Sequence, residues 1–263
     1  MHRLLRRLPR PAKAVLRETG IELCRLRNRI GGKPPGIVFL LAHMRSGSTL
    51  VSHILSSHPL VLGCGERNAT YASPRDLDRL EADARYTRRQ FLHSYRYVID
   101  QINHTRFLPA EELLNHPRVS KIFLIREPRD SIASMADVLG RHYGTTVDEA
   151  VAYYLERLQA LARYSELLEN RDTAIALTYE GLLAHPEANL LRLSDFLGLE
   201  PRLSQRYRRF AFTGSRGDPS ETIQEGRIVT DRPQRHMDLS TDDLARVRAV
   251  YDLCRATLML QPD

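Results

Sequence analysis

The chain contains no tryptophan and only three cysteines, Cys24, Cys64 and Cys254. Odd in number and far apart, they form no zinc-ligand spacing and no disulfide framework, so no metal is expected and a reducing cytoplasm is the simplest home. No apolar run approaches the roughly 20 residues that a membrane span requires, and the N-terminus lacks the apolar core of a secretory signal. Helix–turn–helix, RNP and zinc-finger patterns are absent as well. The net charge of +7 and pI near 9.5, an excess almost wholly of arginine, therefore suit an anionic small ligand or acceptor, and nucleic acid is not an expected partner. No internal repeat is visible. What remains is an ordinary globular composition, 42% hydrophobic and 27% charged over 263 residues, which is enough for one α/β domain with a sizeable core.

The most informative stretch is residues 37–50. An apolar run over residues 37–42 reads as a buried strand. It breaks at Arg45-Ser46-Gly47-Ser48-Thr49 and resumes as a helix from Leu50. Strand, tight Gly/Ser turn and helix N-terminus together build a phosphate cradle, because unpaired N–H groups and the positive end of the helix dipole converge on an anion. Against the P-loop pattern G-x-x-x-x-G-K-[ST], Gly47 and Thr49 fit, but Ala42 replaces the first glycine and Ser48 the lysine. The cation here is Arg45. Such a loop is expected to bind a phosphate but is a poor ATP loop.

A second short apolar run, residues 121–125, is followed by Arg126 at the strand's C-terminal end, where open parallel sheets bind ligands. Ser134 lies eight residues further on, two turns into the next helix. An arginine fork and a hydroxyl at this spacing can grip a second phosphate. A structural ion-pair former is the lesser alternative for Arg126, and Arg129 and Asp130 read as a helix-entry pair.

The segments Met44-Arg45-Ser46-Gly47-Ser48-Thr49-Leu50 and Ile125-Arg126-Glu127-Pro128-Arg129-Asp130-Ser131-Ile132-Ala133-Ser134 together resemble the two cofactor motifs of sulfotransferases that use 3′-phosphoadenosine 5′-phosphosulfate (PAPS). The arginine in the first motif is closer in style to carbohydrate, tyrosylprotein and bacterial members than to the cytosolic aryl type. His58-Pro59 and Val61, followed by Cys64-Gly65-Glu66, strengthen the tyrosylprotein-type likeness. Tyr179-Glu180-Gly181-Leu182-Leu183, Pro186 and Phe196-Leu197-Gly198-Leu199 are similar to a third family segment. The likeness covers roughly residues 36–200 and implies a three-layer, P-loop-like α/β fold with a central parallel sheet flanked by helices.

It further implies that Arg45 and the amides of Ser46, Gly47, Ser48 and Thr49 hold the 5′-phosphosulfate, that Arg126 and Ser134 hold the 3′-phosphate, and that Tyr179 lines the adenine pocket. A buried core tyrosine is the alternative for Tyr179. PAPS would be the co-substrate, with no metal. The acceptor must lose a proton as it attacks, so a general base is needed. Glu66 is the first candidate and His104 the rival; each has a bland alternative, as a surface carboxylate and a structural histidine. Arg45 counts with them as catalytic because it faces the leaving phosphate. Ser215-Arg216-Gly217, Gly226-Arg227 and Arg235 are loose matches to the basic loop that closes over the 3′-phosphate in this family.

Residues 1–35 read as a basic amphipathic segment plus a Gly/Pro linker, and residues 36–263 as the sulfotransferase domain. The basic segment over residues 1–30 suits either packing on the domain or a partner chain, or peripheral contact with an anionic membrane. Further strands are expected at residues 61–63, 95–100 and 174–179, helices at 148–168, 187–197 and 244–258, and a long loop at 211–239. Two other functions fit less of the pattern: a nucleotide-dependent phosphotransferase, and a non-catalytic nucleotide-binding protein at a membrane surface. Small molecules, glycans, lipids and peptides all stand as acceptors.

Overall fold

The computed structural model describes residues 10–31, 33–214, 221–231, 237 and 239–259. Five strands form one sheet: β1 (Gly36–Ala42), β2 (Val61–Gly63), β3 (Tyr97–Ile102), β4 (Val119–Ile125) and β5 (Ala174–Thr178), in the order β2-β3-β1-β4-β5. Every pairing is parallel. Central parallel strands are covered on both faces and so read as continuous apolar runs. That is why residues 37–42 are all fully buried, and replacing Leu40 or Leu41 by alanine should cost about 2–5 kcal/mol.

The strand residues alternate between two cores. Ile37, Phe39 and Leu41 face a layer that includes α3 (Pro74–Arg88), α5 (Pro128–Tyr143), α6 (Val147–Glu166) and α9 (Thr241–Thr257). Val38, Leu40 and Ala42 face α2 (Ser48–Ser57), α7 (Tyr179–Ala184) and α8 (Pro186–Leu197). A single turn, α4 (Glu111–Leu114), precedes β4, and α1 (Arg10–Gly31) packs outside α3. This is the three-layer arrangement that the sulfotransferase likeness implies.

Local chemistry sets the helix ends. α3 opens on a Ser73/Asp76 capping box with Pro74 in its first turn, and α6 on a Thr146/Glu149 capping box. Ser240 caps α9 by accepting from the Asp243 amide, and α8 stops at Gly198 with φ of 56°. The third strand begins two residues later than the 95–100 reading and ends two residues later. The amides of Arg96 and Tyr97 both turn to the Leu60 carbonyl, while Gln101 and Ile102 pair with Leu40 and Leu41 of β1. Within the loop expected at 211–239, residues 221–225 form a 3₁₀ turn and Arg206 bridges Arg227. Arg216, Gly217 and Arg235 lie outside the described residues, as do residues 1–9 of the basic segment.

Candidate active site

The chain leaves β1 toward β2 on one side of the sheet and leaves β4 toward β5 on the other. β1 and β4 are neighbours, so the loops that follow them part at a topological switch point, where open α/β sheets hold ligands. Those loops are residues 43–47 and 126–127. Parallel register adds their partners: Ala42 lies beside Leu124, which brings His43 next to Arg126, and Ile125 lies beside Thr178, which brings Arg126 next to Tyr179.

In the first loop Arg45 and Gly47 both adopt left-handed backbone, with φ of 64° and 88°. Gly47 precedes α2 without any side-chain cap, so the first amides of that helix are directed at the crevice. A Cβ on Gly47 would sit 2.4 Å from Cδ2 of Tyr179. The Tyr179 ring, only 3% exposed, thus sets its Cδ2–Cε2 edge against the loop that is expected to hold the 5′-phosphosulfate. Tyr179 is a buried tyrosine packed against the first loop.

Arg126 donates through Nη1 to the Arg45 carbonyl at 3.1 Å and through Nη2 to Asp130 at 3.0 Å. Its guanidinium carbon lies 4.5 Å from the centre of the Tyr179 ring. The Arg126 Nε is buried and has no hydrogen-bond partner among the described residues. Its nearest carboxylate is Glu180, with Oε1 at 3.9 Å, an ion pair too long for a hydrogen bond, so an anion arriving here gains a charged donor in competition with Glu180 and Asp130. Asp130 therefore pairs with Arg126 rather than with Arg129. Ser134, 2% exposed, accepts from Arg45 Nε at 3.0 Å. The two residues assigned to different phosphates of one nucleotide thus touch each other here, and a phosphate bound at Ser134 must share or displace that bond.

Glu66 and His104 are brought together. Glu66 Oε1 lies 3.9 Å from His104 Nε2, with side chains 13% and 31% exposed. That separation is too long for a hydrogen bond. Burial, helped by Arg106 and Arg157, lowers the His104 pKa, so a neutral imidazole rather than an ion-pair partner stands beside the carboxylate. Burial also raises the Glu66 pKa, against hydrogen bonds from Gln101 and Asn103. Phe107 and Tyr153 pack against the His104 ring.

Three residues unforeseen in the sequence organise this geometry. His43 is fully buried; its Nδ1–H donates to the Met44 carbonyl at 2.8 Å and its Nε2 accepts the Arg126 amide at 3.0 Å. Burial holds its pKa down to about 3, so this neutral tautomer persists and ties the two loops together. Tyr153 accepts the Met44 amide at 2.8 Å and donates to the Asn103 carbonyl at 2.6 Å, which joins the first loop to the segment carrying His104. Arg157 donates from Nε to the Ala42 carbonyl at 2.8 Å and from Nη2 to the Ile102 carbonyl, capping the ends of β1 and β3. The signal for His43 was available: a polar side chain closing an apolar strand one residue before a phosphate loop. Tyr153 and Arg157 sit in a helix legible only by its apolar face.

A crevice of this kind, at the switch point of a parallel sheet with a basic turn at each of two neighbouring strand ends, defines a nucleotide-phosphate-binding α/β protein. Comparison with known proteins narrows the class. The sulfotransferase domain family matches residues 35–234, and the chain belongs to the PAPS-dependent sulfotransferases. The sulfotransferase domain of the curacin biosynthetic pathway has a similar structure, with a TM-score of 0.59 and 17% identity over 88% of this chain and 100% of that one. The sulfotransferase domain of the Synechococcus PCC 7002 olefin synthase gives 0.55 and 17% over 87% and 96%. A search of the curated proteins returned no match. Among the described residues no group of three or more His, Cys, Asp or Glu is placed to hold a metal ion.

Proposed function

We propose that this sulfotransferase moves the sulfuryl group of PAPS onto the hydroxyl of a small-molecule acceptor, with Glu66 as the general base. PAPS supplies the activated sulfuryl group. Arg45 and the amides of residues 46–49 hold its 5′ end, Arg126 and Ser134 its 3′-phosphate, and Tyr179 flanks the nucleotide. The observation that carries the reading is the meeting of the two loops, with Arg126 set beside Arg45 and Tyr179 and its buried Nε making no hydrogen bond, only a 3.9 Å ion pair with Glu180. Arg45 and the first amides of α2 offset the charge that grows on a departing phosphate. Desolvation raises the proton affinity of Glu66 and makes it a stronger base than an exposed carboxylate. The neutral His104 beside it orients the acceptor hydroxyl.

Catalysis is assigned to residues 36–263. Three free thiols, all buried, support a cytoplasmic location. The test is turnover of labelled PAPS with a panel of phenols, sugars, lipids and tyrosine peptides, for the parent and for Glu66→Gln and His104→Asn. The expected result is about a 10²–10⁴-fold loss for Glu66→Gln and a smaller one for His104→Asn. The reverse order would transfer the base role to His104. Rate should rise with pH as the base ionises. The limb falls above pH 4.5 for Glu66, whose pKa is raised from that value, and below pH 6.5 for His104, whose pKa is lowered from that one. These windows overlap, so the variants rather than the pH profile decide.

A further inference from the structure

α1 presents two apolar faces, and the domain uses one. Ile21 and Cys24 pack against Ala82 of α3, flanked by bonds from Arg25 to Asp78 and from Asn28 to Glu81. On the opposite side Val15, Leu23, Leu26 and Ile30 are 65%, 61%, 52% and 79% exposed. At 3.6 residues per turn these four fall within an arc of about 80°. The turn after α3 adds Phe91 and Leu92, 54% and 94% exposed. Arg27 ties that turn to α1 by donating to the His93 carbonyl and Ser94 Oγ, so the two apolar groups lie on adjoining elements.

The charge around this face is one-sided. The carboxylates on α1 and the facing side of α3 are engaged: Glu18 by Arg75, Glu22 by Arg25, Asp78 by Arg25 and Arg118, Glu81 by Arg85. Arg29 and Lys33 are exposed and have no ion-pair partner among the described residues. Upstream, the sequence carries Arg3, Arg6, Arg7, Arg10, Lys13 and Arg17 before its first carboxylate, Glu18.

We propose that this face is an interfacial docking surface for an anionic lipid bilayer. Val15, Leu23, Leu26 and Ile30, with Phe91 and Leu92, enter the boundary between headgroups and acyl chains while the arginines engage the headgroups. No helix among the described residues is long and apolar enough to cross a membrane, so the contact is peripheral. A second copy of the chain would bring the same exposed basic groups, Arg29 and Lys33, toward each other, whereas acidic lipid complements both the charge and the apolar arc. The inference is independent of the cofactor assignment.

The experiment is flotation of the full chain with phosphatidylcholine vesicles and with vesicles that also contain phosphatidylglycerol, at low and at high salt. The variants are Leu26→Glu/Ile30→Glu on α1 and Phe91→Ser/Leu92→Ser on the turn. All four positions are more than half exposed, so thermal melting by circular dichroism should match the parent. The parent should float with the anionic vesicles only, and release as salt rises. The α1 pair should bind at least about tenfold more weakly, and the turn pair less so. A parent that ignores anionic vesicles, or an α1 pair that floats like the parent, overturns the proposal. A parent that is instead a dimer by light scattering, and is dissociated by the α1 pair, assigns the face to a second copy.

Discussion

Replacing Gly47 by alanine probes the phosphate loop at its tightest point. Left-handed backbone, φ 88° here, costs an L-residue about 1–2 kcal/mol. The new Cβ would lie 2.4 Å from the Tyr179 ring, which must withdraw by about 1 Å to reach ordinary contact at 3.4 Å. That ring is buried and carries the Arg126 guanidinium on its face, so the withdrawal is an overpacking cost of about 1–3 kcal/mol. Together the two effects give about 2–5 kcal/mol and a lowering of Tm by about 5–15 °C. Affinity for 3′-phosphoadenosine 5′-phosphate (PAP) should fall at least tenfold, because the loop and Arg126 move together. The assay is a double-mutant cycle with Tyr179→Ala, followed by thermal melting and calorimetry. Removing the ring relieves the steric part and leaves the backbone part, so Gly47→Ala should cost about 1–3 kcal/mol less in that background. Strict additivity, or an unchanged Tm for Gly47→Ala alone, would refute the close packing of loop and ring.

Further outcomes follow from other contacts. Arg126→Ala should weaken PAP binding about 10–100-fold through loss of charged hydrogen bonds, with a smaller change for AMP, which lacks the 3′-phosphate; equal losses for both ligands would remove the 3′ assignment. Ser134→Ala should act in the same direction with a smaller effect. His43→Phe strands the Met44 carbonyl and the Arg126 amide, at a cost of about 2–5 kcal/mol, and should shrink the preference for PAP over AMP; a variant that melts earlier but keeps that preference would make His43 merely structural. Asp100, buried and bonded by Tyr71, has its carboxyl raised by burial to about 7. Its proton is retained on folding, so its contribution is full below pH 3.8 and is lost as pH rises toward 7. His43, lowered to about 3, contributes above pH 6.5 and loses that as pH falls. The two slopes oppose each other between pH 4 and 6.5. Asp100→Asn should therefore unmask a fall in stability toward acid of about 1.4 kcal/mol per pH unit, read by denaturant melts; the same pH dependence in parent and variant would contradict the assignment.

The sheet and its helices were legible because their signals are local. A parallel strand buried on both faces is a continuous apolar run, as at residues 37–42, and α6 shows its core face at Val151, Tyr154, Leu158 and Leu161. The turn between β1 and α2 was legible because its backbone needs glycine at Gly47. The pairing of β1 with β4, which unites Arg45 with Arg126, is a property of register and not of either segment alone. The clamps were hidden for the same reason. Tyr153 is 109 residues from the Met44 amide that it accepts, and Arg157 is 115 from the Ala42 carbonyl; each reads as one more residue of an amphipathic helix. The contact between Glu66 and His104 likewise spans two loops that only the β2-β3 pairing brings together.

Calorimetric titration of the full chain with PAP and with ATP, both without Mg²⁺, addresses the central claim most directly. The two-phosphate site predicts tight binding of PAP, with one molecule per chain, and little or no heat from ATP. Preference for ATP, or binding of neither nucleotide by a folded protein, would contradict it.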